Sequence, residues 1–402
     1  MESIYLDNAA TTCPLPSVCV KMQQVHGSCW GNASSSHRVG QQARREVELA
    51  RESVAKLIGA QPAEIIFTSG GTESCNLAIN GTLACLPNHR KVITSRLEHS
   101  AVRGSLKDMD GKGIEVLWLP NDGSGVVDLD VLKTMLKDNS DEIALVSVMW
   151  ANNETGAIQP IEEICEICHA YDVRVHTDAT QWIGKMPTDL ASLPVDLLSF
   201  TGHKFHGPKG TGVLYVRAGC DLSPCVTGGP QERGRRAGTE NTAGIAGLGV
   251  ACDEARQWLD EDHWRHRREL LSHFEQSLLE AVDGAWLNSG AVTRLWSTTN
   301  IGFPDVTSEM MLLALSERGI CCSGGSACSS GSTTRSAVLE ALELPDHIPH
   351  DRCHASLRFS ICRHTSSETL EEAFHIIVEV HQRLSQMVIA SETPSVCIES
   401  DS

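Results

Sequence analysis

Along the first two thirds of the chain, short apolar runs of strand length take turns with stretches of helical spacing. "EIIFT" (64–68) leads to "ESCNLAINGTLA" (73–84), "KVITS" (91–95) to "SAVRGSLKDM" (100–109), and "IALVSVMW" (143–150) to "IEEICEICHAYD" (161–172). "VRVHTDA" (173–179), "LLSF" (197–200) and "GVLYV" (212–216) then add three further strands. This alternation predicts crossover units on a mostly parallel sheet, an α/β arrangement covering roughly residues 13–255. Two long helices are expected at about 241–261 and 264–282, followed by strands in "STTNIGF" (297–303), "GICCSG" (319–324) and "LRFSIC" (357–362), each beside a helix. That order predicts a large domain over 13–258, a smaller α+β domain formed by 1–12 with 259–390, and a frayed, flexible tail at 391–402.

Composition narrows the function classes. At 402 residues, with 41% hydrophobic and 21% charged positions, the chain has the make-up of a soluble two-domain protein. The 51 acidic against 33 basic residues leave a formal charge of −18, which repels phosphate backbones and anionic lipid, so neither nucleic acid nor membrane is expected as a partner. No apolar stretch approaches the ~20 residues of a membrane helix, and "MESIYLDNAA" lacks a signal peptide's basic start and apolar core; a cytoplasmic location is expected. In that setting the 16 scattered cysteines are reduced thiols rather than a disulfide framework.

Ligands of open parallel sheets sit beyond the carboxyl ends of the strands, so the loops there hold the candidate chemistry. "SGGTES" offers Gly70, Gly71 and Thr72 at a helix start, which suits an anion cradle and equally a plain helix cap. "LEHSAV" offers His99, "ANNETG" offers Asn153, and "HTDATQ" offers Asp178 and Gln181. "DLLSFTGHKFHGPKG" ends a buried strand on Thr201, His203 and Lys204. These parts suit pyridoxal 5'-phosphate. A desolvated lysine amine attacks its aldehyde, Asp178 keeps the pyridine nitrogen protonated, and Gly71, Thr72, Thr201 and His203 cradle the phosphate. His99 lies against the ring, while Asn153 and Gln181 reach the phenolic oxygen.

The motifs "YLDNAATT", "FTSGGTES", "MWANNETG", "HTDATQ", "GHKFHGPKG", "QERGRRAGTEN", "GSACSSGS" and "LRFSICRHT", in this order over residues 4–385, resemble the cysteine desulfurases of the nitrogen-fixation type, within the class V aminotransferases. The resemblance implies a fold-type I pyridoxal phosphate transferase with a seven-stranded sheet. It implies that Lys204 binds the cofactor covalently and that Thr239 reaches the phosphate of the second subunit of a homodimer. It also implies that Arg358 and Asn153 hold the carboxylate of L-cysteine. Lys204 then takes the α-proton, His99 assists proton movement, and Cys328, in a mobile and exposed glycine-serine loop, receives the sulfur as a persulfide as alanine leaves. The acceptor implied is an iron-sulfur scaffold or another sulfur-acceptor protein, in iron-sulfur cluster assembly or a related pathway. Two other readings stay open: a selenocysteine lyase or cysteine sulfinate desulfinase on the same scaffold, or a silent adaptor that binds sulfur carriers.

Other features carry less. "CEICH" (165–169) has haem-attachment spacing but lies in a helix pattern, where its cysteines should pack in the core. His350, Cys353 and His354 have no evident fourth ligand, so no metal is expected, although His354 could line the substrate pocket. Cys321 and Cys322 end a strand as packing residues or secondary sulfur traps. Thr333, Thr334 and Arg335 depart from the family's usual Leu-Glu-Pro, and Pro230 replaces a usual glycine.

Overall fold

The computed structural model describes residues 3–324, 336–342 and 356–392. Seven strands, β2 (Ile65–Thr68), β3 (Lys91–Ser95), β4 (Glu115–Leu119), β5 (Ile143–Ser147), β6 (Val175–Asp178), β7 (Leu197–Thr201) and β8 (Gly212–Val216), form one sheet in the order β2-β8-β7-β6-β5-β3-β4. The pairs among β7, β6, β5, β3 and β4 are parallel, whereas β8 runs antiparallel to both β7 and β2. The expected mostly parallel sheet is therefore present, with one reversed strand. Every residue of β2, β5, β6, β7 and β8 is buried, because helices cover both faces and the strands read as continuous apolar runs.

The covering helices are α1 (Pro16–Ser28), α2 (Arg38–Ile58), α3 (Gly71–Cys85), α4 (Ser100–Asp110), α5 (Leu129–Asn139), α6 (Ile161–His169) and α7 (Thr242–Asp260). His37 caps α2 by accepting from Gly40 N, and Gly59 ends it at φ 67, a conformation glycine adopts without strain. α7 packs closely on α2 through small residues: a Cβ on Gly249 would stand 2.8 Å from Ala50 Cα. Cys165 and Cys168 are buried in α6 within the main core, as expected for packing residues.

A second apolar core joins Leu6 to α8 (His263–Ala281), α9 (Ser308–Glu317), α11 (Ser367–Glu392) and the strands β9 (Trp286–Leu287), β10 (Thr298–Gly302) and β12 (Ser356–Ser360). Those strands form a sheet in the order β12-β10-β9. "GICCSG" differs from expectation. Only Ile320–Cys321 is strand (β11), and it pairs in parallel with β1 (Ile4–Tyr5), while Ser323 makes a single antiparallel bridge to Arg358 of β12. The short α10 (Ala337–Ala341) packs near Leu97 and Met149. Two residues of the expected tail, 391 and 392, are the end of α11.

His176 stands in the middle of the large sheet, bonded to Ser147 Oγ at 2.8 Å and Ser199 Oγ at 2.9 Å. Burial pushes its pKa down to about 4, with Asp178 opposing. A histidine held neutral contributes stability that is complete above its unfolded pKa of about 6.5 and is lost as pH falls through 4. The expected loss across that window is up to about 3 kcal/mol. Urea unfolding at a series of pH values should show it, with a shallower slope in His176→Gln; an unchanged slope would contradict the assignment.

Candidate active site

The carboxyl ends of β2, β3, β5, β6 and β7 converge on a cavity of about 240 Å³. Its wall includes Gly71, Thr72, His99, Asn153, Asp178, Gln181, Thr201, His203, Lys204 and Arg358, so ten residues singled out in the sequence meet at one place. Thr239 does not line it and is exposed. Cys328, like His350, Cys353, His354 and Thr333–Arg335, lies outside the described residues.

Lys204 ends a 3-10 turn, Gly202–Lys204, that follows β7 directly. Its Nζ donates to the carbonyls of Ala9 at 2.7 Å and Ala10 at 2.8 Å. The N-terminal segment, carried in beside β12 through bonds such as Asn8 N to Ser360 O, thus forms the floor under the lysine. Asp178 is the buried last residue of β6, and its Oδ1 accepts from Thr180 N at 3.0 Å.

His99 is the N-cap of α4, its Nδ1 accepting from Ala101 N at 3.1 Å. That bond places the proton of the neutral ring on Nε2. Burial lowers the His99 pKa; Asp178 opposes this, and Lys204 and Arg103 reinforce it. His203 is pushed down to about 4 by burial and then by Lys204 and Lys209, so it too is neutral at pH 7, with Nδ1 3.2 Å from Thr11 Oγ1.

α3 begins at Gly71 with no side-chain cap from Gly70, which leaves its first amides facing the cavity end of the helix. A Cβ on Gly71 would come within 3.1 Å of Thr180 Oγ1, so glycine keeps this cradle open. The Thr201 hydroxyl donates to Thr211 O at 2.7 Å and would have to rotate to serve an anion. Glu73, in the first turn of α3, is bound by Arg236 at 2.8 Å. Burial raises the Glu73 pKa, but the bonds from Arg236 and Ser69 outweigh it and leave the carboxylate below its usual range. The loop after Pro230 is fixed as well: Glu232, left-handed at φ 47, is buried with Arg51 through bonds of 2.8 and 2.9 Å.

Arg358, fully buried on β12, donates to Asn153 O at 2.9 Å and Asp7 Oδ1 at 2.6 Å. Asn153 Oδ1 is buried without a hydrogen-bond partner among the described residues; unpaired, such an atom costs about 1–3 kcal/mol. Trp150 and Trp182 stack at 4.4 Å and tie the β5 and β6 loops together.

Several residues of the site were missed in the sequence. Asp7 carries the same signal as Asp178, an acid just after an apolar strand, and could have been found by it. Ala9 and Ala10 act through backbone carbonyls, which residue type does not reveal. Thr180 was passed over beside Asp178. Of the additional thiols, Cys322 is pushed up to about 12 by burial, so packing describes it better than reactivity.

A lysine amine, a carboxylate at a strand end, an unpaired buried amide oxygen and a helix N-terminus around one cavity fit a flat nitrogen heterocycle bearing a phosphate. The family model for aminotransferase class-V matches residues 4–372. The cysteine desulfurase of Trichormus azollae is 42% identical over 384 residues, covering 96% of this chain and 94% of that protein. Cysteine desulfurase NifS of Azotobacter vinelandii is 41% identical over 388 residues, covering 96% and 94%. Among solved structures, a NifS-like protein superposes with a TM-score of 0.86 at 34% identity, covering 96% of this chain and all of that one. A structure described as SspA in complex with cysteine gives 0.77 at 32% identity, over 90% and 99%. The chain belongs to the aminotransferase class-V family and, within it, to the group of the cysteine desulfurases.

Proposed function

We propose that this chain is a pyridoxal phosphate-dependent cysteine desulfurase that converts L-cysteine to L-alanine and keeps the sulfur on its own Cys328. One C–S bond breaks and one S–S bond forms: L-cysteine plus the Cys328 thiol gives L-alanine plus the Cys328 persulfide, with no external oxidant or reductant. The observation that carries this reading is the gathering of Lys204, Asp178, His99 and Arg358 around a single cavity in a chain of this family.

Pyridoxal phosphate, when bound, supplies an electron sink for the substrate α-carbon. The chain supplies the rest. Lys204 Nζ holds the cofactor and then accepts the α-proton. The Asp178 carboxylate would keep the ring nitrogen protonated, and the neutral His99, with its proton on Nε2, would pack against the ring and give or exchange that proton. The α3 amides, Gly71, Thr72, Thr201 and His203 would hold the phosphate, and Asn153 and Gln181 would bind the phenolic oxygen. Arg358 receives the substrate carboxylate together with Asn153, its guanidinium already oriented by Asp7.

The working unit is a homodimer in which Thr239, exposed and away from its own cavity, completes the phosphate site of the second copy. The separate apolar cores support a large domain over 13–258 and a smaller one from 1–12 with 259–390. A cytoplasmic location is in keeping with the absence, among the described residues, of any helix long and apolar enough to cross a membrane. Relatives named NifS and IscS support delivery of the sulfur to an iron-sulfur scaffold. The test is direct: with L-cysteine and a thiol reductant, the purified protein should release alanine and sulfide in equal amounts. A protein that binds sulfur carriers but forms no alanine would be the adaptor instead.

A further inference from the structure

The turn after β6 holds a buried lysine, Lys185, that has no part in the reaction above. Residues 179–186 coil tightly, with bonds from Ile183 N to Ala179 O and from Lys185 N and Met186 N to Trp182 O. Gly184 permits the turn at φ 76, and a Cβ there would strike Phe205. Gln181 and Lys185, four residues apart, therefore face each other, and Lys185 Nζ donates to Gln181 Oε1 at 2.7 Å. Lys185 is 5% exposed. The charged and titratable groups facing it are Lys204, Arg358 and Cys362, with His203 and His206 near enough to feel its charge, and none of these is a carboxylate. A buried ammonium without a carboxylate is expensive to keep.

We propose that Lys185 is a positioning residue: its ammonium locks the Gln181 carboxamide with the oxygen turned away from the cavity and the N–H donors turned toward it. An ammonium can only donate, so the amide oxygen must face it. The amide nitrogen then faces the other way, where Nε2 donates to Ala9 O at 2.9 Å, the same carbonyl that receives Lys204 Nζ. Turned over, the amide would set its NH2 against an ammonium and its oxygen against a carbonyl oxygen, two repulsive contacts. Glutamine alone has no such preference, since its two ends are nearly the same shape. Burial, and then Lys204 and Arg358, bring the Lys185 pKa down to about 7. The lock is therefore firm below neutral pH and loosens above it, where the neutral amine can also accept.

The inference rests on the reading that Gln181 donates to the cofactor's phenolic oxygen. It is tested on the holoenzyme by following visible absorbance against pH. An N–H donated to the phenolic oxygen draws off the negative charge that helps hold the chromophore's proton, so releasing the Gln181 amide in Lys185→Met is expected to raise the midpoint by about one pH unit. In a Gln181→Leu background the same replacement should add almost nothing, because Lys185 acts through the amide. Additive shifts, or an unmoved midpoint with only a lower unfolding temperature, would overturn the proposal. If Lys185→Met does not fold, Lys185→Gln serves in the same comparison and should move the midpoint in the same direction. A wild-type protein without visible absorbance would remove the reading of the site and this inference with it, whereas a coloured protein indifferent to Lys185 removes the inference alone.

Discussion

Lys204→Ala should form alanine from L-cysteine at least about a thousandfold more slowly than the wild type, the scale on which losing a covalent anchor and a general base together is felt. The fold should survive. Lys204 is only partly buried, and its Nζ bonds go to two backbone carbonyls, those of Ala9 and Ala10, rather than to the apolar core. The neighbouring Thr12 Oγ1 to His203 O bond at 2.9 Å still fastens the N-terminal segment to the turn after β7. Thermal unfolding within a few degrees of the wild type, measured alongside the alanine rate, would separate lost chemistry from lost structure. A variant retaining a tenth of the activity would show that another amine serves.

The second large effect is expected at Cys328. Cys328→Ala should keep the cofactor and its colour, since none of the cavity-lining groups among the described residues is altered, yet release less than about a hundredth of the sulfide, because the sulfur has no thiolate to receive it. Cys322, the nearby thiol whose surroundings hold it protonated, offers no ready substitute. Burial pushes its pKa up to about 12, which leaves little thiolate at pH 7. Full retention of sulfide release in this variant would instead mark a selenocysteine lyase or a cysteine sulfinate desulfinase, whose eliminations depend less on the loop thiol. Direct detection of the persulfide on the Cys328 peptide after a single turnover checks the same step from the product side.

How far the sequence could be read depended on which contacts carry the information. β3, β5, β7 and β8 announce themselves because two covering layers demand unbroken apolar runs. β4 is an edge strand, with Glu115 and Trp118 exposed, and its mixed pattern hides it. That β8 runs backwards could not be seen at all, because apolar period reports burial and not direction. The brevity of β11 was equally hidden: "GICC" has the composition of a strand but only β1 to pair with.

The site divides along the same line. Residues whose chemistry is intrinsic, such as Lys204, Asp178 and His99, were legible at or just beyond their strand ends, and Arg358, in the middle of β12, through the family resemblance. Those whose role comes from a distant partner were not. The Ala9 and Ala10 carbonyls matter only because Lys204 lands on them, Asp7 only because Arg358 does, and Lys185 only because the chain turns it back onto Gln181. The Arg51–Glu232 pair, which fixes the loop leading to Thr239, spans 181 residues of sequence and leaves no local trace.

The most direct measurement is borohydride reduction of the wild-type holoenzyme, followed by digestion and mass spectrometry of every lysine-containing peptide. The account predicts the mass of the reduced cofactor on the peptide carrying Lys204 and on no other. An unmodified Lys204 peptide, or the adduct on the nearby buried Lys185, would contradict it.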